Sequence, residues 1–203
     1  MPHPTANRYL PRYMTQTEVR TFFRAIKDPR DRALFAVMYH YGLRVSEVEL
    51  LTRDDVALDR NRIVVKRVKG GIWTERPLFE RTRGLLRSYL TATRGEGSAP
   101  LFPGRSGPLR KRQIQSLFAG YRDQARLAGR HTCHSLRHAI ATHLLDAGLS
   151  LEFVQDHLGH QSIRSTTIYA RITDQHRVQV FRKLDASRWI VQPTDGPGHS
   201  EVE

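Results

Sequence analysis

The stretch DPRDRALFAVMYHYGLRVSEVELL, residues 28–51, gives the clearest structural signals in this sequence. Asp28-Pro29 is a typical helix start, because proline at the first helical position loses no hydrogen bond. The apolar residues that follow predict a helix that ends at Gly42, since glycine adopts the left-handed conformation that closes helices. A short helix is expected from Val45 to Leu51. Arg44 therefore lies just beyond a helix end.

Most of the remaining sequence also has helical periodicity. Thr15 and Glu18 have the spacing of a capping box, which starts a helix. Arg62 to Val68 and Ile72 to Leu78 have strand composition, and Gly70-Gly71 between them predicts an antiparallel hairpin. Further helices are expected within residues 79–90, 114–125, 134–160 (two helices separated at residue 148) and 174–184, with a loop over 91–108.

The expected fold is mainly α with a small antiparallel β-hairpin or sheet (α+β), in one domain over residues 15–190. Residues 1–14 are basic and interrupted by proline, which predicts an extended lead-in. Residues 191–203 contain Pro and Gly but few apolar side chains, and we expect a disordered tail there. No internal repeat or linker divides the chain.

The composition limits the class of function. The 203 residues include 33 Lys and Arg against 20 Asp and Glu, a net charge of +13 that attracts polyanions, so nucleic acid is the first expected partner. The single cysteine, Cys133, excludes an intrachain disulfide, and we expect it in the core. No run approaches the roughly 18 apolar residues of a membrane span. A cytoplasmic, nucleoid-associated protein is expected.

Six of the ten histidines lie between residues 131 and 160. His134 and His138 could share a helix face, but no Glu or Cys completes a recognised set of metal ligands, so we expect no metal. His143 and His157 fit the ordinary interpretation of core or solvated side chains. Phosphate chemistry offers a third use for the cluster.

Cleavage of a DNA strand without metal needs three kinds of group. Cations must neutralise the non-bridging oxygens, a nucleophile must attack, and a proton donor must serve the leaving 5′ oxygen. Each candidate alone has a commonplace explanation, since a lone arginine is usually a solvated charge and a tyrosine after an apolar run is usually core. Together they indicate one phosphate-handling site. In chain order the candidates are Arg44, His134, Arg137, His160 and Tyr169.

The phrases around these residues resemble those of a known family. Tyr41-Gly-Leu-Arg-Val-Ser-Glu47, His134-Ser-Leu-Arg-His138 and Leu158-Gly-His-Gln-Ser-Ile163, followed by Thr166-Thr-Ile-Tyr169, are similar to the active-site phrases of the tyrosine recombinases, the phage integrase family. The similarity runs from about Thr15 to Leu184. It implies a site-specific DNA recombinase that cleaves and rejoins strands through a 3′-phosphotyrosyl intermediate, with no ATP or other cofactor.

The resemblance also implies roles for individual residues. Arg44 and Arg137 would clamp the scissile phosphate, because planar guanidiniums suit two oxygens at once. The other implied roles are attack on phosphorus by Tyr169, handling of the tyrosine proton by His134, hydrogen bonding to the phosphate by His160, and orientation of neighbouring groups by Glu47.

In this family the general acid is a lysine in the hairpin turn. Lys69 beside Gly70-Gly71 fits that position, and Lys66 is its competitor. Strand alternation keeps Lys66 away from the tip, whereas the flanking glycines would let Lys69 swing toward the minor groove, so Lys69 is favoured.

The resemblance implies partners beyond double-stranded DNA. In the family four subunits assemble on two DNA sites, and the helix after the tyrosine packs into a neighbouring subunit. Apolar residues within 178–184 could make that contact or could pack on their own domain. Accessory DNA-bending proteins are a further expectation. Residues at the start of a predicted helix are candidates for phosphate or groove contacts: Lys111, Arg112 and Gln113.

One feature departs from the family pattern. Most integrases have a separate helical domain before the catalytic one, and the two close around DNA. Here only residues 1–14 precede the first catalytic-domain helix. A naturally short recombinase, resembling the fimbrial phase-switch inverters, and a fragment of a longer protein both fit. The initiating Met and the polar tail favour the first.

Two other functions remain as alternatives. A type IB topoisomerase shares the chemistry, although the Leu158-Gly-His160 phrase and the small size favour recombination. A noncatalytic DNA-binding regulator belongs to a different class, since the two helices from His134 to Leu158 also fit a helix-turn-helix. That interpretation leaves Arg44, Lys69 and Tyr169 without a role.

Overall fold

The computed structural model describes residues 13–68, 73–93, 95 and 97–159. Over these residues it has seven α-helices and a three-stranded antiparallel sheet, which confirms the expected fold class. The helices are α1 (Gln16–Ala25), α2 (Pro29–His40), α3 (Val45–Val48), α4 (Glu80–Thr91), α5 (Lys111–Gln124), α6 (Cys133–Asp146) and α7 (Leu151–Leu158). The strands are β1 (Val56–Ala57), β2 (Arg62–Lys66) and β3 (Trp73–Pro77).

The first two helices begin where the sequence predicts. The N–H of Glu18 donates to Thr15 Oγ1 at 3.2 Å, and the N–H of Thr15 donates to the Glu18 carboxylate at 2.8 Å. Asp28 caps α2 by accepting the N–H of Asp31 at 2.9 Å. These caps satisfy N–H groups that have no partner inside the helix, so local sequence fixes both N-termini.

Aromatic side chains of α1, α2 and α5 form the centre of the core. The ring of Phe22 lies 4.8 Å from that of Phe118 and 5.3 Å from that of Phe35, between centroids, and all three side chains are buried. Aromatic contacts at this distance stabilise a core beyond the apolar area that they bury. Cys133 is buried, as expected. Met14, which the sequence placed in the lead-in, is also fully buried, so the packed core includes it.

The sheet contains the predicted hairpin and one additional short strand. Its order is β1-β2-β3, and the register of β2 on β3 places Lys66 opposite Trp73. Ile63 and Val65 are buried on one face of β2. The connecting residues 69–72 lie outside the described part of the chain. β1 was not predicted, because two residues are too few to show an alternating pattern.

Helices α6 and α7 form the predicted pair on either side of Gly148, whose φ of +84° suits glycine. α6 is buried along most of its length and packs on α2. No helix in the described ranges is both long and apolar enough to cross a bilayer. The helix predicted over 174–184 and the tail over 191–203 lie outside these ranges. One apolar cluster joins α6 to α7: Ile140, Ala141, Leu145, Val154 and Leu158.

Candidate active site

The turn between α2 and α3 places Arg44 at the start of a helix. Gly42 has a φ of +57°, and its N–H donates to the Tyr39 carbonyl at 3.2 Å. The next N–H, of Leu43, donates to the Met38 carbonyl at 3.0 Å. This pair of bonds closes α2 in the way that a left-handed glycine allows, which confirms the predicted helix end. α3 begins directly after Arg44 and is shorter than predicted, ending at Val48.

A buried carboxylate, Glu47, organises this turn. Its Oε2 accepts the backbone N–H of Arg44 at 2.8 Å, and its Oε1 accepts a guanidinium N–H of Arg44 at 2.9 Å. Two further guanidiniums approach Oε2, that of Arg67 at 2.9 Å and that of Arg137 at 4.0 Å. Burial alone would raise the pKa of the Glu47 carboxyl, but these donors and positive charges outweigh it and lower that pKa. Three arginines therefore surround one carboxylate.

Arg137 reaches the same turn from α6. One guanidinium nitrogen donates to the Gly42 carbonyl and the other to the Leu158 carbonyl at 2.8 Å. Its side chain is 1% exposed, whereas that of Arg44 is 26% exposed. The fold thus brings Arg44 and Arg137, which are distant in sequence, within 4.0 Å of the same carboxylate.

His134 lies one helical turn before Arg137 and is exposed. Its ring centroid is 4.4 Å from that of His138, edge to face. Partial loss of hydration lowers the pKa of His134, and the positive charges of Arg137 and Arg44 lower it further. An imidazole in this place is neutral at pH 7 and can accept a proton. In the part of the chain that the structure describes, no group of three His, Cys, Asp or Glu side chains could hold a metal ion.

His143 and His157 have structural contacts, in keeping with their unremarkable sequence context. A 2.7 Å hydrogen bond joins His143 Nδ1 to the Tyr39 hydroxyl, and another of 2.7 Å joins His157 Nε2 to the His40 carbonyl. Burial lowers the pKa of both imidazoles, that of His157 to about 4. Both side chains therefore stay neutral in the core.

Lys66, the competitor for the role of general acid, is held within the fold. Its ammonium makes a 2.7 Å ion pair with Asp55 and a 3.2 Å hydrogen bond to the Leu50 carbonyl. It also lies 4.8 Å from the ring centre of Trp73. The side chain is only 11% exposed. Moving this ammonium to a leaving group would break all three contacts.

Three of the predicted site residues, Lys69, His160 and Tyr169, lie outside the described ranges. Helix α7 ends at Gly159, whose φ is +65°, immediately before His160 in the sequence.

The candidate DNA-contacting residues Lys111, Arg112 and Gln113 form the exposed first turn of α5. The amide oxygen of Gln113 accepts the N–H of Arg110 at 2.8 Å, so it caps the helix. The backbone N–H of Lys111 donates to Glu49 at 2.6 Å. The ammonium of Lys111 and the guanidinium of Arg112 are therefore the charged groups that this turn presents to solvent.

Sequence reasoning missed Arg67. It lies within the predicted strand from Arg62 to Val68, yet its side chain is 5% exposed and forms an ion pair with Glu47. A signal was present, because strand alternation puts residue 67 on the same face as the buried Ile63 and Val65. A basic residue on a buried face needs a carboxylate partner, but the sequence does not indicate which one.

Comparison with known proteins indicates the family of this chain. The profile of the phage integrase family matches residues 12–176. Tyrosine recombinase XerA of Thermococcus kodakarensis is 35% identical over 178 residues, which cover 85% of this chain and 62% of that protein. Tyrosine recombinase XerC of Neisseria meningitidis is 40% identical over 156 residues, which cover 75% of this chain and 50% of that protein. The chain thus spans between half and two thirds of the length of these relatives.

Comparison with solved structures also finds a tyrosine recombinase. A crystal structure of XerA recombinase superposes with a TM-score of 0.77 at 27% identity, covering 90% of this chain and 67% of that one. The family profile covers most of the sequence, including the Arg44, Glu47, His134 and Arg137 positions. This chain belongs to the phage integrase family.

Proposed function

We propose that this chain contains the catalytic domain, over residues 15–190, of a site-specific DNA recombinase that works through a 3′-phosphotyrosyl intermediate. The observation that carries the proposal is the convergence of Arg44 and Arg137 on Glu47. Two guanidiniums held near one point provide the bidentate donors that bind a phosphodiester. Membership of the phage integrase family supports the proposal independently.

In the proposed reaction the hydroxyl oxygen of Tyr169 attacks the scissile phosphorus. A Tyr O–P bond forms, the P–O5′ bond breaks, and the 3′ side of the DNA is held as a phosphodiester to the protein. The phenolic proton passes to His134, and Lys69 gives a proton to the leaving 5′ oxygen, which becomes a hydroxyl. Arg44 and Arg137 offset the charge that grows on the non-bridging oxygens. Attack by another 5′ hydroxyl reverses the step and joins a new strand without ATP.

Local features favour this division of roles. The lowered pKa of His134 keeps its imidazole in the basic form. The contacts that hold Lys66 favour Lys69 as the mobile acid. His160, directly after α7, would hydrogen-bond the phosphate. The Arg137 side chain is 1% exposed, so DNA binding must give the phosphate access to its guanidinium.

The proposed partner is double-stranded DNA, in keeping with the net charge of +13. The proposed assembly is a homo-oligomer of four subunits on two DNA sites, in the cytoplasm on the nucleoid, with accessory DNA-bending proteins. Apolar residues within 178–184 would contact the neighbouring subunit. In α5, Lys111, Arg112 and Gln113 would contact phosphates or a groove.

A covalent-complex assay tests the function. The protein is incubated with nicked suicide duplexes that carry inverted repeats from DNA beside the gene, and a denaturing gel detects the protein–DNA adduct. We expect an adduct with the wild type and none with Tyr169→Phe, which lacks only the nucleophilic oxygen. Tyr121→Phe, which removes a hydroxyl bonded to Asp31, is the matched control and should still form the adduct.

The assay also separates the alternatives. A DNA-binding regulator would shift the duplex on a native gel without forming an adduct, which would contradict the proposal. A type IB topoisomerase would form the adduct equally well on unrelated sequences. An adduct that persists in Tyr169→Phe would rule out this tyrosine as the nucleophile.

A further inference from the structure

Arg67 joins three parts of the candidate active site. Its guanidinium donates to Glu47 Oε2 at 2.9 Å, to the Tyr41 carbonyl at 2.9 Å and to the His157 carbonyl at 2.6 Å. A longer bond of 3.4 Å reaches the Gly42 carbonyl, which also accepts from Arg137. These bonds connect the residue after β2 to the end of α2, to α3 and to the last turn of α7.

The surroundings of Arg67 are closed. Its side chain is 5% exposed. A Cβ added to Gly159 would lie 2.9 Å from Arg67 Nε and 3.0 Å from its Cγ, so the turn after α7 packs directly on this side chain. Burial lowers the pKa of Arg67 and Glu47 opposes that shift, and a guanidinium stays charged in proteins. Each terminal nitrogen of Arg67 already donates to two protein acceptors, and the turn after α7 covers its Nε, so Arg67 acts on a DNA phosphate through its neighbours.

The charges around Glu47 indicate what the ion pair between Arg67 and Glu47 does. A phosphodiester carries one negative charge and gains a second in the five-coordinate transition state, so two uncompensated guanidiniums match it best. Glu47 carries one negative charge and contacts Arg44 at 2.9 Å. Without a further cation, Glu47 would cancel the charge of one of the two clamp arginines. Arg67 is that further cation, at the same distance of 2.9 Å.

We propose that Arg67 is a positioning residue of the phosphate clamp, which neutralises Glu47 and so leaves the charges of Arg44 and Arg137 to the phosphate. This inference rests on the proposed function. The bonds from Arg67 to the carbonyls of Tyr41 and His157 add a geometric part, because they fix the turn before Arg44 against α7.

Three versions of the suicide substrate test the inference. One has the natural scissile phosphodiester, one has a methylphosphonate, which lacks one non-bridging charge, and one has a 5′-phosphorothiolate, whose leaving group needs no proton donor. Single-turnover adduct formation is measured for the wild type, Arg67→Met, Arg67→Lys and Arg76→Met. Arg76 is the matched control, since it ties the sheet to α7 through a 2.6 Å bond to Asp156, and none of its described bonds involves Glu47.

We expect Arg67→Met to slow adduct formation on the phosphodiester about 100-fold, because an unneutralised Glu47 would cancel one clamp guanidinium, and the loss of one transition-state donor costs about that much. On the methylphosphonate the deficit should fall below about 10-fold, because one cation fewer is needed. On the phosphorothiolate the deficit should persist. Arg67→Lys keeps a cation beside Glu47 and should recover most of the rate. Arg76→Met should stay within about threefold of the wild type, as is usual for a partly exposed ion pair.

Equal slowing of Arg67→Met on the phosphodiester and the methylphosphonate would overturn the inference, since it indicates a purely structural role. Recovery on the phosphorothiolate would also overturn it, because it assigns Arg67 to the proton donor. If thermal denaturation shows that Arg67→Met is unfolded, the double variant Arg67→Met with Glu47→Gln replaces it, because it removes the cation and the carboxylate charge together. For this double variant, the ratio of the rate on the phosphodiester to the rate on the methylphosphonate should equal that of the wild type. A different ratio would contradict the inference. A wild type that forms no adduct on any substrate contradicts the proposed function itself, which is a distinct result.

Discussion

At the residue scale, the two lysines of the β2–β3 hairpin differ in what holds them. Lys66 has an ion-pair partner in Asp55, a carbonyl acceptor at Leu50 and an aromatic ring beside it at Trp73. Asp55 is itself buried, so removing the ammonium would leave its carboxylate with less compensation. Lys66 therefore contributes to folding, whereas the glycine-flanked Lys69 is the proposed acid.

Replacing each lysine by methionine separates these roles. We expect Lys66→Met to lower the free energy of unfolding by about 1–3 kcal/mol, because it leaves a buried carboxylate without its cation. Lys69→Met should leave stability unchanged and slow adduct formation by about 10²–10⁴-fold, the usual contribution of a general acid. Urea denaturation and the single-turnover assay measure the two effects. The opposite pattern would make Lys66 the acid.

The environment of His134 predicts its titration. Loss of hydration and the charges of Arg137 and Arg44 all favour the neutral imidazole, so its pKa in the free protein should lie below 6.5. Arg44→Met removes one repelling charge and should raise that pKa. NMR titration of the ring protons, assigned with His134→Asn, measures both values. A His134 pKa above 6.5, or one that Arg44→Met does not raise, would contradict the assignment of His134 as a neutral imidazole that accepts the tyrosine proton.

At the scale of secondary-structure elements, the site depends on the close approach of α2, α6 and α7 around Gly42. A Cβ added there would lie 2.5 Å from Leu158 Cδ2 and 3.4 Å from Ile140 Cγ2. The φ of +57° is also unfavourable for a residue with a side chain. Because Gly42 offers its carbonyl to Arg137 and precedes Arg44 by two residues, displacement of this turn would disturb both arginines.

We expect Gly42→Ala to lower the free energy of unfolding by about 2–4 kcal/mol, as the sum of the backbone cost and the overlap with Leu158. Gly84→Ala is the matched control. Gly84 lies inside α4 with nothing within 4 Å of an added Cβ, and alanine there should stabilise by about 0.5–1 kcal/mol. Urea denaturation of both variants gives the comparison. A Gly42→Ala protein as stable as the wild type would show that stability does not depend on the close contact between α2 and α7 at Gly42.

Elements defined by adjacent residues were predictable, and those defined by tertiary partners were not. The caps at Thr15 and Asp28 and the helix end at Gly42 follow from local hydrogen bonding, so their sequence signals were sufficient. β1 is stable only because β2 pairs with it, and nothing in two residues reports that pairing. The same holds for the candidate site. The order of residue types along the sequence indicated Arg44 and Arg137, whereas the pairing of Arg67 with Glu47 depends on the fold.

At the scale of the whole molecule, the basic residues divide by location. Arg67 and Arg137 are buried around Glu47, whereas residues such as Lys111 and Arg112 are exposed. Exposed cations release condensed counterions when they meet DNA phosphates, so the affinity they provide depends steeply on salt. In the proposed mechanism the buried guanidiniums serve a single phosphate, so they should contribute little to that dependence. Salt dependence and cleavage rate therefore report on different sets of basic residues.

The exposed turn of α5 allows this distinction to be tested. Each phosphate contact adds about 0.9 to the slope of log affinity against log salt, so Lys111→Ala with Arg112→Ala should reduce the slope by about 2. Titration of a labelled duplex at several salt concentrations measures the slope. Arg20→Ala with Arg24→Ala on α1 removes the same charge from another exposed place and should leave the slope nearly unchanged. Equal reductions in both double variants would mean that net charge, rather than a defined surface on α5, attracts the DNA.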